Sequence, residues 1–524
     1  MQILDELRVA DVVREYASKR GDVVALRCGP RALTYAELDD RSNRLAQVLL
    51  SAGVRAGERV AHLDRTAPEI VELLFATSKI GAVTVPLNWR LAPAELETIV
   101  ADAGAGVMIA GPNYGEVARE IAGAVPQRLE VVDTGEDYEQ RLQAAPAIDP
   151  GHRGAASDVA VQMYTSGTTG LPKGVLTTQR NLAAAYLSAD VWLFDSRSVS
   201  LTPLPMFHIG GIGWAYLGLV CGATTILVTE FDAAEVLDLL ERQRVTNAVF
   251  VPTILQMLAA VPGAAERDYS SLRSITYGAS AITTPVLRAA LRTFRSPLFG
   301  VYGLTETTGG VVQLRPEDHD ADGARQHLLR SSGRPMPWVE MRIVDPATGR
   351  DRAACEVGEV WLRAPNVMAG YYNRTSETAA ALLPDGWLRT GDGGYRDDDG
   401  YLFLTDRIKD MIVSGGENIY PIEVEEVISQ HPAVVEVAVI GVPDERWGET
   451  VKALVVVGPG AAVEAEELVA FARERLAGYK LPRSVEFVTE LPRSPAGKVL
   501  KRELRARYAA PPSPLVAASA QAGS

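Results

Sequence analysis

The chain has 524 residues, with 52 Lys+Arg against 66 Asp+Glu for a formal net charge of −14, and 47% of its residues are hydrophobic. Length and composition describe a globular protein of about three or four domains or subdomains, able to bury its cores without disulfide or metal staples. The acidic balance argues against a dedicated nucleic-acid binder and leaves open a local basic site for a phosphorylated ligand. Three widely separated cysteines, Cys28, Cys221 and Cys355, exclude a disulfide scaffold or a cysteine zinc site and suit a reducing cytosol.

The first residues carry Asp5 and Glu6 where a secretory leader needs cations, and no long apolar run follows. A cytoplasmic location is expected. Leu33-Thr34-Tyr35 leads into an amphipathic helix over 36–52, with Leu38, Leu45, Val48 and Leu49 on one stripe. A strand over 59–63, a helix over 67–80 and a strand over 82–87 follow. The pattern repeats at 107–109, at 225–228 before a helix over 233–242, and at 248–251. Such alternation makes an α/β fold whose parallel sheets are covered by helices on both faces. The apolar stretch 214–228 is short and broken by Gly218 and Gly222, so it reads as buried core and not as a membrane span.

From about residue 340 the pattern changes. Alternating polar and apolar residues over 339–344 and 358–363 predict a small, largely antiparallel β subdomain. Beyond Lys409 an α+β module is expected, with a helix over 421–430, strands around 435–440 and 451–457, and a helix over 465–476. The expected organisation is a large N-terminal domain over 1–405, its β subdomain at about 340–405, a smaller domain over 406–510, and a Pro/Ala/Ser-rich tail over 511–524 that reads as disordered.

Six motifs carry chemistry. The first, Tyr164-Thr165-Ser166-Gly167-Thr168-Thr169-Gly170-Leu171-Pro172-Lys173-Gly174, follows an apolar run. Glycines and small hydroxyl residues let backbone N–H groups converge on phosphate oxygens, and Lys173 adds a cation. It is not a Walker A loop, because Gly174 follows the lysine where Ser or Thr is required. The second, Tyr302-Gly303-Leu304-Thr305-Glu306, sets an aromatic ring, a hydroxyl and a carboxylate together; Glu306 can serve Mg²⁺, or the segment is a polar loop after a strand. In the third, Gly278-Ala279-Ser280, small residues either admit a flat ring or end a strand. The fourth pairs Thr390-Gly391-Asp392 with Asp406-Arg407, a carboxylate for ribose hydroxyls and a donor for ribose or phosphate. The fifth is Ser414-Gly415-Gly416-Glu417-Asn418, and the sixth is Ser494-Pro495-Ala496-Gly497-Lys498.

In this order, across roughly residues 33–502, the six motifs resemble the adenylate-forming superfamily of acyl-CoA synthetases, luciferases and peptide-synthetase adenylation domains, and most of all its AMP-forming fatty-acyl or aryl-CoA ligases. The resemblance implies a large N-terminal domain and a smaller C-terminal one joined by a hinge. It implies two half-reactions: a carboxylate attacks the α-phosphate of Mg·ATP, giving an acyl-adenylate and pyrophosphate, and the coenzyme A thiol then displaces AMP.

By position, Thr165, Ser166, Thr168, Thr169 and Lys173 would hold the outer phosphates, with Gly167 and Gly170 shaping their loop. Tyr302, Gly303 and the Gly278, Ala279 and Ser280 backbone would clasp adenine, Thr305 would touch the α-phosphate, Glu306 would bind Mg²⁺, and Asp392 with Arg407 would fix ribose. Lys498 would bridge the carboxylate and α-phosphate; Lys409 would be the hinge; Gly415, Gly416 and Glu417 would line the thiol channel.

Phe207, His208, Ile209, Gly210 and Trp214 would line the acyl pocket, and their apolar character suits a fatty or aromatic acid. Gln179 departs from the His that many relatives carry there. Expected partners are a small carboxylate, ATP and CoA, with no nucleic acid and no membrane span; a homodimer is left open. Two further readings remain: a carrier-protein thiol or another nucleophile as acceptor, and a non-catalytic nucleotide-binding scaffold.

Overall fold

The structure, a computed structural model, describes residues 3–508 apart from 166–171, 281, 322, 408–410, 415–416, 445, 459, 462, 477 and 494–498; residues 406, 407, 413, 417 and 418 are described in backbone only. Among the described residues the strands form four sheets. The chain divides into two compact units: one holds the residues up to Ile282 with Val286–Met341 and Trp361–Arg389, the other Thr283–Pro285, Arg342–Val360 and the chain from Thr390 onward.

The first unit is built on two large sheets. In one, strands Val24–Cys28, Thr224–Leu227, Val199–Thr202, Asn247–Phe250, Ser274–Gly278 and Leu298–Leu304 run parallel side by side. Antiparallel strands close it: Arg31–Thr34 at one edge, Gly309–Leu314 and Arg334–Pro335 at the other. In the second sheet the parallel strands are Glu130–Asp133, Val107–Ala110, Arg59–Leu63, Val83–Pro86 and Val159–Thr165, and Lys173–Thr178 and Gly370–Tyr371 add antiparallel pairs. Each sheet therefore changes from parallel to antiparallel at a hairpin, and those two hairpins carry the first and second motifs.

The helix Pro68–Ile80 touches strands of both sheets, and every one of its residues is buried. Pro68 suits the first helical position, where no intrahelical partner for an N–H is lost. Gly81 ends the helix at φ +74, in the left-handed region that glycine enters freely. Its buried charges are paired, as burial demands. Arg41 donates to both oxygens of Glu72, which also accepts from the Tyr138 hydroxyl at 2.7 Å. Lys79 Nζ reaches Asp39 Oδ1 and Asn43 Oδ1, each at 2.6 Å, and Ser42 Oγ at 2.8 Å.

A four-stranded sheet joins Glu340–Val344, Gly358–Arg363, Leu388–Arg396 and Leu402–Arg407 in that order. Beyond it, Val434–Asp444 and Gly448–Val457 form a long antiparallel ladder, with Ser484–Phe487 parallel to the second strand. Helices Pro421–Ser429 and Ala465–Arg473 supply Val424, Ile428, Leu468 and Ala472 to the core against Val439, Val451 and Ala453. The second helix ends at Arg473, three residues before the predicted stop, and the strand expected around 435–440 extends to Asp444. Cys28 and Cys221 are buried and Cys355 is exposed, all free. No helix among the described residues is long and apolar enough to cross a membrane.

Candidate active site

The first motif is a hairpin: Thr165 lies opposite Lys173, and Tyr164 opposite Gly174. Its tip, with Ser166, Gly167, Thr168, Thr169 and Gly170, lies outside the described residues, as do Lys409, Gly415, Gly416 and Lys498. The second motif is also a hairpin. A single 3₁₀ turn, Thr305–Thr307, links the strands, and Thr308 follows at φ +47. The Thr307 hydroxyl accepts the Leu304 N–H at 2.8 Å and donates to the Gly309 carbonyl at 2.7 Å, so the turn is internally tied. At Gly303 a Cβ would stand 2.0 Å from the Gly309 oxygen, which restricts this position to glycine.

A third segment, 365–374, clasps both hairpins. Asn366 Nδ2 donates to the Thr307 carbonyl at 2.7 Å, and the Met368 N–H donates to the Glu306 carbonyl at 2.8 Å. On the other side, the Ala369 and Tyr372 N–H groups donate to Leu176 and Gly174 of the lysine-bearing strand. The Tyr371 hydroxyl donates to Glu306 Oε1 at 2.9 Å, and Lys173 Nζ stands 5.1 Å from the centroid of the same ring. Sequence reading missed Tyr371. Its only signal is the tripeptide Gly370-Tyr371-Tyr372 in a polar stretch, with no periodicity to mark it.

Along the neighbouring strand ends, Gly278 closes its strand where a Cβ would meet the Val301 carbonyl oxygen at 2.3 Å. Ala279 follows at φ +69, a strained conformation for a non-glycine residue, and Ser280 is exposed. Tyr302 is half-buried. Tyr277 instead belongs to the core with Phe250 and Phe294. Its hydroxyl lies 3.0 Å from His319 Nε2, and His319 Nδ1 lies 2.7 Å from the Arg315 carbonyl. That carbonyl can only accept, so Nδ1 carries the proton and Nε2 accepts from Tyr277. Burial lowers the His319 pKa, consistent with a neutral ring.

The acyl-pocket candidates sit on and before the helix Ile209–Val220. Phe207 and Trp214 are buried, while His208, Ile209 and Gly210 are partly exposed. Trp214 packs edge-on to Phe194 at 5.1 Å and tilted to Trp192 at 5.7 Å, two aromatics that no sequence motif marks. Phe207 meets His208 at 4.4 Å and Trp89 at 6.5 Å. His208 Nε2 and Trp214 Nε1 are buried with no hydrogen-bond partner among the described residues. Burial, aided by the nearby Arg90 charge, lowers the His208 pKa to about 4, so the ring is neutral at pH 7.

In the second unit, Asp392 lies opposite Arg407 across an antiparallel pair, is mostly buried, and donates its N–H to the Thr390 hydroxyl at 3.1 Å. The Thr390 hydroxyl donates to the Val360 carbonyl at 2.7 Å. Glu417 pairs with Ser414 in the backbone of a short hairpin.

A family model for AMP-binding enzymes matches residues 13–372, and a second, for the AMP-binding enzyme C-terminal domain, matches residues 423–498. The chain belongs to the AMP-binding enzyme family. A feruloyl-CoA synthase of Amycolatopsis sp is 42% identical over 486 residues, 92% of this chain and 96% of that protein. A fatty acid–[acyl-carrier-protein] ligase of Streptomyces coeruleorubidus is 39% identical over 490 residues, 92% of this chain and 93% of that one. Among solved structures, ATP-bound MatB from Rhodopseudomonas palustris superposes with a TM-score of 0.88 at 31% identity, covering 96% of this chain and 99% of that chain. The adenylate-forming resemblance and the α/β architecture both stand.

Within this family framework, the departure at Gln179 acquires a definite local role. Gln179 is buried, its Oε1 accepts the Val9 N–H at 2.9 Å, and its Nε2 lies 3.3 Å from Ser78 Oγ. Ser78 Oγ in turn accepts the Ala10 N–H at 3.1 Å. Val9 and Ala10 open the helix Val9–Arg20, whose first N–H groups have no intrahelical partners. Gln179 and Ser78 supply them.

Proposed function

We propose that the protein is an AMP-forming carboxylate–CoA ligase acting on an apolar acyl or aromatic acid. The observation that carries this reading is the convergence of Lys173 and Glu306, a phosphate-side cation and a carboxylate from two different sheets, on the single side chain of Tyr371. Near-full-length similarity to proteins named as CoA ligases supports the reaction class. Phe207, Trp214, Trp192 and Phe194 support an apolar or aromatic acid, because ligand pockets are mostly apolar with few polar anchors.

In this reading ATP lies against the two hairpins. The 165–173 loop and Lys173 hold the outer phosphates, Tyr302 and the 278–280 backbone flank adenine, and Thr305 approaches the α-phosphate. Asp392 and Arg407 hold ribose, and Lys498 steadies charge as the carboxylate attacks the α-phosphate. Positioning and charge neutralisation are the main demands of such chemistry. Magnesium fits the donor set. Glu306 offers one half-buried carboxylate, and Mg²⁺ takes one or two carboxylates together with substrate phosphate oxygens. No group of three or more His, Cys, Asp or Glu residues among the described residues forms a protein-only cage. When bound, the ion would neutralise phosphate charge. Lys409 is the proposed hinge between a domain ending near 405 and one over 406–510, with Gly415, Gly416 and Glu417 serving the thiol in the second half-reaction.

One relative named for an acyl-carrier-protein acceptor, at 39% identity, favours a second reading in which the thiol belongs to a carrier protein. Pyrophosphate release across a panel of carboxylic acids, with and without CoA and with mass detection of products, decides between them. Acyl-CoA is the expected product. Acyl-adenylate without thioester supports the carrier acceptor, and no ATP-dependent pyrophosphate with any acid overturns the ligase reading.

A further inference from the structure

The side chain that joins the two phosphate-side groups has no role in the reaction outlined above. Tyr371 sits on the two-residue strand Gly370–Tyr371, opposite Val175 of the lysine-bearing strand. Its backbone is held from several directions. The Tyr371 N–H donates to Thr378 Oγ1 at 2.9 Å, and the Ala369 and Tyr372 N–H groups on either side donate into the Lys173–Thr178 strand. Asn181 Nδ2 donates to the Pro365 and Val367 carbonyls at 2.9 and 2.8 Å, which anchors the approach to the strand. The ring is thus presented on a braced backbone.

Each end of the tyrosine does something different. The phenol donates to one oxygen of Glu306, a hydrogen bond strengthened by the carboxylate's charge, and leaves Oε2 for another ligand. The ring face receives the Lys173 ammonium, an attraction between a cation and the aromatic quadrupole. Unrestrained, both side chains carry several rotatable bonds whose freedom must be lost when the nucleotide arrives. A ring that holds both beforehand removes part of that loss.

We propose that Tyr371 is a positioning residue for metal–nucleotide binding: its hydroxyl orients Glu306 toward the metal ion and its ring orients Lys173 toward the phosphates. The proposal rests on the nucleotide-binding part of the ligase reading, not on the identity of the acid or the acceptor.

The test uses the full chain and a fluorescent ATP analogue, titrated with and without Mg²⁺. Tyr371→Phe keeps the ring and removes the hydroxyl. It is expected to weaken the Mg²⁺ dependence of nucleotide binding about ten-fold, the equivalent of one hydrogen bond to a charged group. Affinity for the metal-free nucleotide should stay within about two-fold of wild type. Tyr371→Leu removes both interactions and should also weaken metal-free binding about three-fold or more.

Wild-type binding profiles in both folded variants overturn the proposal. So does a loss of thermal stability with binding unchanged, since that is what a purely structural tyrosine would give. Wild-type protein that binds the metal–nucleotide but releases no pyrophosphate with any acid removes the ligase reading and leaves the role of Tyr371 standing. Wild-type protein that binds no nucleotide removes both.

Discussion

Gln179 Oε1 lies 2.9 Å from the backbone nitrogen of Val9, across 170 positions of sequence, and so ties the start of the Val9–Arg20 helix to the strand–helix junction that follows the Thr165–Lys173 hairpin. Replacing Gln179 by Leu leaves the buried Val9 N–H unpaired, a change expected to destabilise by about 1–3 kcal/mol. Denaturant melts should show this loss. Pyrophosphate release at saturating substrate should stay near wild type, because the contact serves the scaffold.

Lys498 is the proposed partner of the attacking carboxylate and the α-phosphate. Lys498→Ala is expected to abolish acyl-adenylate formation while largely sparing thioester formation from supplied acyl-adenylate. Single-turnover assays of each half-reaction check this, and equal loss in both would remove the division of labour.

Trp214 distinguishes an acyl wall from ordinary core. Trp214→Ala is expected to raise KM for an aromatic acid about ten-fold, with KM for ATP within about two-fold, as a lost apolar contact of about 1.4 kcal/mol predicts. A shift in thermal stability with an unchanged KM for the acid would assign the indole to packing alone.

His62 gives a pH prediction. Full burial lowers its pKa from 6.5 to about 3, and Nε2 has no partner among the described residues. The unfolded chain therefore binds a proton that the folded chain refuses as pH falls below about 6.5. Stability decreases with falling pH throughout that window, levelling only near pH 3, by at most about 1.4 kcal/mol per pH unit. His208, lowered to about 4, adds to this over a narrower window. Asp64 opposes both: burial raises it to about 6, so its contribution is present below about pH 3.8 and lost as pH rises through 6. Unfolding midpoints between pH 7 and 5 should fall for wild type and fall less for His62→Gln.

Lys79 tests the buried charges. Lys79→Ala strands Asp39 and Asn43 and is expected to destabilise by about 3–5 kcal/mol, whereas Lys79→Met, which keeps the buried stem, should cost less. Equilibrium unfolding of both variants measures the difference.

Much of this was legible in sequence where the signal is local. The strand Arg59–Leu63 and the helix Ala233–Arg242 fall on their expected bounds because hydrophobic period and flanking residues act over a few positions. The glycine at 303 and the small residues at 278–280 were visible for the same reason. Tyr371 was not, because its partners Glu306 and Lys173 lie 65 and about 200 positions away and nothing in its own neighbourhood encodes them. Trp192 and Phe194 were missed likewise: their packing on Trp214 is created by the fold.

The strand order of the larger sheet carries a consequence for synthesis. Val24–Cys28 emerges from the ribosome early, yet its parallel neighbour Thr224–Leu227 follows 200 positions later. At translation rates of about 5–20 residues per second, that strand waits about 10–40 s for its partner. During this interval its native strand partner is Arg31–Thr34 alone, and its other edge is left to water or to other chains. The edge of this strand that Thr224–Leu227 covers in the folded protein is therefore the last part of it to find its native partner during synthesis.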